Sequence, residues 1–451
     1  MKKIITIFGS TGNLMYKKLL PALNTLIRNN YLTKDTEIYL IARKDYFLDD
    51  YIAEAKKEMT SDIEWDLVKP FLNYINMDIS NINDYIKLKE IINKNGDALD
   101  KMFYLAVPPQ LFPVIAKGIS ESGLITKTDE FARIVFEKPF GEDLKSAKEI
   151  NTKLWQYFEE KQIYRIDHYL GKEMIQNVLV VRFSNIIFEN NWDHNSIKNI
   201  IILAKEKEGI FNRGNYYDKV GALKDMVQSH LMQMVALITM EKPNSFTSDE
   251  IKDEKVKAIK SLRIEKENII LGQYEGYKNV KNVDFESNTE TFVYAKAYID
   301  NDRWRGVPIH LITGKQLDEK RSEIIINFKH TDKHFKSSKQ NKLVIKVAPI
   351  EGVNFIINVK EAGLNEKIVP ATLDYCHSCE VIGNTPEAYE KLLLDLSNQQ
   401  NSLFTRWDEI ETSWKIIDDL KKQEITPIIY KNYQELKTKI LKVSEDLEYD
   451  L

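Results

Sequence analysis

Ile4-Ile5-Thr6-Ile7-Phe8-Gly9-Ser10-Thr11-Gly12-Asn13-Leu14 is the stretch that decides the fold. Its first five residues are β-branched or aromatic and run straight into a glycine turn, the pattern of a buried strand and its exit. Leu14, Lys18, Leu19, Ala22, Leu23 and Leu26 then recur near helical spacing. Glu37-Ile-Tyr-Leu-Ile-Ala42 reads as a second strand. Strand, helix and strand within about forty residues form the βαβ unit of a doubly wound sheet. Two later apolar runs stop at proline: Met102–Val107 before Pro108-Pro109, and Arg133–Phe136 before Glu137-Lys138-Pro139. Both fit buried parallel strands entering loops. Residues 1–167 are therefore expected to form an α/β, Rossmann-like dinucleotide-binding domain.

Beyond that point the texture changes. A helical pattern spans 220–240. It is followed by β-type runs at Leu262–Glu265, Phe292–Ile299, Ile309–Thr313, Ile324–Phe328, Leu343–Val347 and Phe355–Val359, with few helices between them. Strands without crossover helices pair antiparallel. Residues 168–451 are thus expected to form an α+β domain on a large, mostly antiparallel sheet. Its tail, from about 386, reads as charged and mostly helical.

Composition narrows the function. The 451 residues carry 64 basic and 68 acidic side chains, a net charge of −4. No basic excess exists to hold a polyanion, so nucleic acid is not an expected partner. The five-residue apolar start is shorter than the roughly 7–15 residues of a signal peptide. The most apolar later stretch, Leu231–Met240, is ten residues and contains Gln233; a span needs about 20. No membrane partner is expected, and the location expected is cytoplasmic. Cys376 and Cys379 are the only cysteines. They are too few for a disulfide framework and lack a second ligand pair for zinc. Local packing is expected there, and no metal site.

Three segments carry chemistry. Between strand and helix, Gly9-Ser10-Thr11-Gly12-Asn13-Leu14 lets the backbone approach a pyrophosphate, and the helix that follows offers free N–H groups to the anion. The second strand ends Ala42-Arg43-Lys44, where NAD-selective folds place a carboxylate for the ribose hydroxyls. A cation there suits a 2′-phosphate and favours NADP, with NAD the weaker alternative; two solvated surface cations are the plainer reading. Arg165-Ile166-Asp167-His168-Tyr169-Leu170-Gly171-Lys172-Glu173 gathers cations and hydroxyl donors of the kind a phosphate needs. Asp167 is better used to orient a histidine than beside an anion. Asn212 to His230 forms a third polar cluster, running into an apolar helix with Leu231, Met234, Val235 and Ile238. A histidine on such a face is usually a satisfied core residue, but Asp225 and Gln228 just before it favour function.

Taken in order, these segments resemble the glucose-6-phosphate dehydrogenase family over nearly the whole chain. The resemblance extends through Glu137-Lys-Pro-Phe-Gly141, Arg182-Phe183 to Phe188 and Trp192, Tyr216–Asp225, Val307–Lys315, and Leu403–Glu409 with Trp414. It implies oxidation of the C1 hydroxyl of β-D-glucose 6-phosphate to 6-phosphogluconolactone, with hydride passing to NADP+. His230 looks like the base and Asp167 its carboxylate partner, which holds the imidazole tautomer. His168, Tyr169 and Lys172 resemble the sugar-phosphate ligands, joined by Lys315 and Lys18. Glu206 and Asp225 match carboxylates that bind sugar hydroxyls. Lys138 matches a lysine where substrate and cofactor meet, Arg43 the 2′-phosphate arginine, and Pro139 a proline that links domain movement to binding. The resemblance also implies substrate bound between two domains and a homodimer or homotetramer paired through the sheet. The sequence departs from the family at Asn13, which still suits a helix cap, and at Met15, Ser229, Ile312 and Ala348.

Overall fold

The structure is a computed structural model that describes residues 1–59, 61–94, 96, 99–330, 335, 338–364, 366–377, 387–444 and 447. Six strands pair in parallel in the spatial order 3-2-1-4-5-6: β1 (Lys2–Phe8), β2 (Thr36–Ala42), β3 (Leu72–Asn76), β4 (Leu99–Leu105), β5 (Ala132–Phe136) and β6 (Ile163–Ile166). This is the doubly wound order whose ligand crevice opens at the β1/β4 switch point, beyond the carboxyl ends of the strands. Ile4, Ile7 and Phe8 are wholly buried, as expected of a central parallel strand covered on both faces.

Ten strands form a second sheet, off which one strand branches: β7 (Ile197–Lys205), β8 (Leu262–Ile264), β9 (Ile270–Tyr274), β10 (Phe292–Ile299), β11 (Ile309–Gly314), β12 (Arg321–Phe328), β13 (Lys342–Ala348), β14 (Gly352–Lys360) and β15 (Ile368–Cys376), with β17 (Ile428–Tyr430) from the tail. The order is 15-14-13-12-7-11-10-9-17, with β8 on β10. Most pairs are antiparallel; β7 runs parallel to β11, and β17 to β9. The central strand, β7, is not among those expected from the sequence. Its run Ile200–Ala204 is continuously apolar, and such a run does not separate strand from helix by period.

The chain divides into two compact units, and the division differs from a break at 167. The first unit holds residues 1–171, 247–252 and 386–411; the second holds 172–246, 253–385 and 412–451. Residues 386–411 thus leave the expected second domain, for a physical reason. Phe404-Thr405 (β16) pairs antiparallel with β6, and Leu392, Leu393 and Leu396 share one core with Ile5, Leu23 and Ile38. The pattern at 220–240 is likewise not one helix. Gly221 (φ +69°) breaks it, so helix Gly214–Ala222 gives way to a π-helical segment, Leu223–Leu231, and then to α-helix Met232–Thr239. Cys376 is disulfide-bonded rather than merely packed; Cys379 lies outside the described residues.

If the tail strand belongs to the first core, Phe404→Ala should destabilise that unit by roughly 3–5 kcal/mol, since Phe404 is wholly buried against Tyr164 at 5.0 Å between ring centroids. A urea midpoint equal to that of the parent chain would remove the strand from the core.

Candidate active site

In the first unit the chemistry collects at strand ends. Gly9 follows β1 with φ +83°, and a Cβ there would lie 2.3 Å from the Ala106 carbonyl oxygen beyond β4. Only glycine lets the turn cross the switch point this closely. The Gly9 and Ser10 N–H groups both donate to the Ile41 carbonyl, at 3.0 and 3.1 Å, and Ser10 Oγ donates to the same oxygen. Arg43, two residues past that carbonyl, is held by its own carbonyl, which accepts from Asn76 Nδ2 at 2.9 Å. The glycine turn and Arg43 are therefore fixed to one frame. Lys44 is already engaged: it pairs with Glu54 at 2.9 Å and lies over the Tyr46 ring. Of the two cations, Arg43 alone has no ion pair among the described residues. The cradle fits a dinucleotide. Gly9, Ser10, Thr11, Gly12, Asn13 and Leu14 would hold its pyrophosphate, although Asn13 stands in the first helical turn rather than before it as a cap.

Beyond β5, Glu137 is half-buried and accepts from the hydroxyls of Tyr104 and Tyr389. Burial pushes its carboxyl up, and these hydrogen bonds with Lys138 oppose that rise. Glu137 anchors the segment that presents Lys138 and the cis Lys138-Pro139 bond. Beyond β6, Asp167 is 2 % exposed, and its Oδ1 accepts the Tyr169 N–H at 3.0 Å. That turn sets His168 edge-on to Tyr169 at 5.2 Å. Lys18 is more exposed and pairs with Glu387 at 2.7 Å.

In the second unit, β7 and β11 end side by side in the register Lys205 to Gly314. The next residues, Glu206 and Lys315, meet at 2.8 Å, with Lys315 nearly buried and its ammonium 5.2 Å above the Tyr217 ring. Tyr430 donates to the Lys315 carbonyl at 2.5 Å. Lys172 precedes helix Glu173–Phe183 and acts electrostatically on Glu351. Asp225 and His230 lie five apart on the π-helical segment, whose i→i+5 ladder is closed by Met232 N–H to the Val227 carbonyl. Hydrogen bonds between residues five apart bring such residues onto one face, and π-helical turns are frequent at functional sites. His230 is 1 % exposed.

The first unit thus gathers Gly9–Leu14, Arg43, Lys18, Lys138, Asp167, His168 and Tyr169; the second gathers Lys172, Glu206, Lys315, Asp225 and His230. Sequence reasoning gave no role to Tyr104 or Tyr389, whose hydroxyls bond Glu137. Nothing local marks them, because each acts on a partner distant in sequence.

A doubly wound dinucleotide unit and a second unit on a large mixed sheet, with a histidine and a carboxylate on one π-helical turn, fit a two-unit oxidoreductase. The family models agree. "Glucose-6-phosphate dehydrogenase, NAD binding domain" matches residues 6–177, and "Glucose-6-phosphate dehydrogenase, C-terminal domain" matches residues 179–442. The chain belongs to the glucose-6-phosphate dehydrogenase family and is an oxidoreductase of carbohydrate metabolism. It is 39 % identical to the glucose-6-phosphate 1-dehydrogenase of Bacillus subtilis (strain 168), covering 93 % of this chain and 91 % of the relative. Identity to that of Streptococcus pneumoniae is also 39 %, over 93 % and 90 %. Among solved structures it resembles a glucose-6-phosphate dehydrogenase in complex with its substrate glucose-6-phosphate, with a TM-score of 0.90 at 34 % identity and 95 % and 94 % coverage. A Mycobacterium avium glucose-6-phosphate 1-dehydrogenase follows at 0.86 and 32 %, with 95 % and 94 % coverage.

Gly9→Ala should weaken dinucleotide binding at least tenfold, because the added Cβ forces the turn away from Ala106. Fluorescence titration measures this, and an unaltered Kd would show that the turn does not cradle the ligand.

Proposed function

We propose that the chain oxidises β-D-glucose 6-phosphate at C1 to 6-phospho-D-glucono-1,5-lactone, the first step of the oxidative pentose phosphate pathway, with NADP+ as the preferred acceptor. The observation that supports it most is the full-length identity to relatives of that activity, joined to retention of Asp167, His168, Lys172 and His230.

A ring nitrogen of His230 takes the C1 hydroxyl proton, and Asp167 holds the imidazole tautomer and balances the imidazolium. NADP+, when bound, supplies the hydride acceptor. His168, Tyr169 and Lys172 hold the sugar phosphate with Lys18 and Lys315. The exposed Lys18–Glu387 pair contributes no more than about 1 kcal/mol, so a phosphate dianion displaces the carboxylate readily. Lys315 already answers Glu206, so it also steadies the carboxylate that, with Asp225, receives the sugar hydroxyls. Lys138 serves both substrate and cofactor, and Arg43 clamps the 2′-phosphate.

Homodimers or homotetramers would form through the outer strands of the second sheet, where β15 is an edge strand exposing Leu373 and Tyr375. A cytoplasmic site of action belongs to the same reading; among the described residues no helix is long and apolar enough to cross a membrane.

Steady-state assay of NADP+ and NAD+ reduction with glucose 6-phosphate tests the reaction, and no turnover with either acceptor would end it. His230→Asn should lower kcat by several orders of magnitude with little change in KM, as the lost interaction belongs to the transition state. Retained kcat would take the base role from His230. Arg43→Ala should raise KM for NADP+ far more than for NAD+; equal losses would remove the 2′-phosphate clamp.

A further inference from the structure

Gly221 ends one helix, and the segment that carries Asp225 and His230 starts anew behind it. A new helix start leaves its first N–H groups without partners inside the helix. Two of them go to a single residue far away in sequence. Ala222 N–H donates to the Glu290 carbonyl at 2.9 Å, and Leu223 N–H donates to Glu290 Oε1 at 3.0 Å. Glu290 lies just before β10 and is 5 % exposed. The space around it is closed: a Cβ on Gly221 would lie 2.4 Å from Oε1 and 2.9 Å from Oε2. Burial pushes the Glu290 carboxyl up, while the Leu223 N–H and the charges of Lys421 and Lys224 favour its ionised form. Its charge also acts on Tyr217 and Tyr277.

We propose that Glu290 is a positioning residue for the reaction: it caps the π-helical segment from outside and so sets the placement of Asp225 and His230. Asp225 stands two residues after the capped Leu223, inside the first turn, and His230 follows one i→i+5 step later. The local sequence supplies no cap, since the residue before the segment is Ala222. What the helix start requires is an acceptor at this depth; a carboxylate adds a favourable interaction with the helix dipole. The inference rests on His230 being the base.

Two substitutions separate the possibilities. Glu290→Gln keeps an acceptor oxygen at full reach. Glu290→Asp keeps the charge but is one methylene short of Leu223 N–H. Positioning through that hydrogen bond predicts near-parental kcat in the Gln variant, within about threefold. It predicts at least a tenfold lower kcat in the Asp variant, with dinucleotide Kd unchanged in both. Gly221→Ala, which pushes on the carboxylate from the helix side, should lower kcat similarly, and it decides the matter if the Asp variant does not fold. Parental kcat per folded molecule in Glu290→Asp or Gly221→Ala overturns the proposal, as does a Gln variant as slow as the Asp variant. Failure of the underlying reading shows differently, as retained turnover in His230→Asn.

Discussion

A helix whose last turn is buried must find partners for the carbonyls its own backbone cannot satisfy, and the second unit is organised around one such turn. Every residue of Met232–Thr239 is buried. Its terminal carbonyls are taken up by side chains: Leu237 and Met240 accept from Arg182 at 2.6 and 2.8 Å, Ile238 from Trp192 Nε1 at 2.8 Å, and Thr239 from Trp304 Nε1 at 2.8 Å. Each buried carbonyl left unpaired would cost about 1–3 kcal/mol. Arg182 stays close to Trp192 and Phe183 as a cation over two rings, although burial pulls its guanidinium down to about 9. Arg182 belongs to the helix that Lys172 opens, so the cap that secures the His230 helix also fixes the Lys172 helix. With Glu290 at the other end, the histidine segment is held from both termini.

The first unit solves a different problem with fewer parts. One carbonyl, that of Ile41, accepts from three donors of the Gly9-Ser10 turn and thereby ties the phosphate cradle to the strand end that leads to Arg43. Tyr51 Oη donates to the Ser10 carbonyl at 3.1 Å and closes the turn from the other side. The precision expected of a dinucleotide site comes here from hydrogen bonds between the turn and the neighbouring strand end, while the glycine and the β-branched strand that make the turn possible are encoded locally.

That difference explains what could be read from the sequence. Strands β1, β2, β4 and β5 and the glycine turn were legible because strand period, turn chemistry and proline stops are properties of neighbouring residues. Strand β3 was not: Leu72-Asn-Tyr-Ile-Asn76 mixes polar with apolar residues at a sheet edge. Assignment of residues 386–411 to the first unit also escaped, because pairing of Phe404-Thr405 with β6 joins positions more than two hundred residues apart. The roles proposed for individual residues such as Asp167 and His230 come from the family resemblance and not from a local pattern. The groups that secure the neighbouring backbone and Glu137, namely Glu290, Trp304 and the Tyr104 and Tyr389 hydroxyls, carry no local pattern.

The departures from the family pattern make the same point in reverse. Ile312 is wholly buried and sits opposite Leu203 in the core of the second unit, so an arginine there would be a cation inside an apolar cluster. Met15 is likewise wholly buried, in the core of the first unit, where volume rather than polarity is at stake. Ser229 Oγ donates back to the Asp225 carbonyl at 3.4 Å, a local backbone contact. Ala348 ends β13 beside a cis proline. Each departure falls where packing or backbone geometry is the constraint. Net charge conceals the complementary fact: a chain at −4 keeps Lys315 nearly buried against Glu206 and leaves Arg43 outside any ion pair among the described residues. A small phosphorylated ligand is recognised by such local arrangements of charge, which a whole-chain sum does not register.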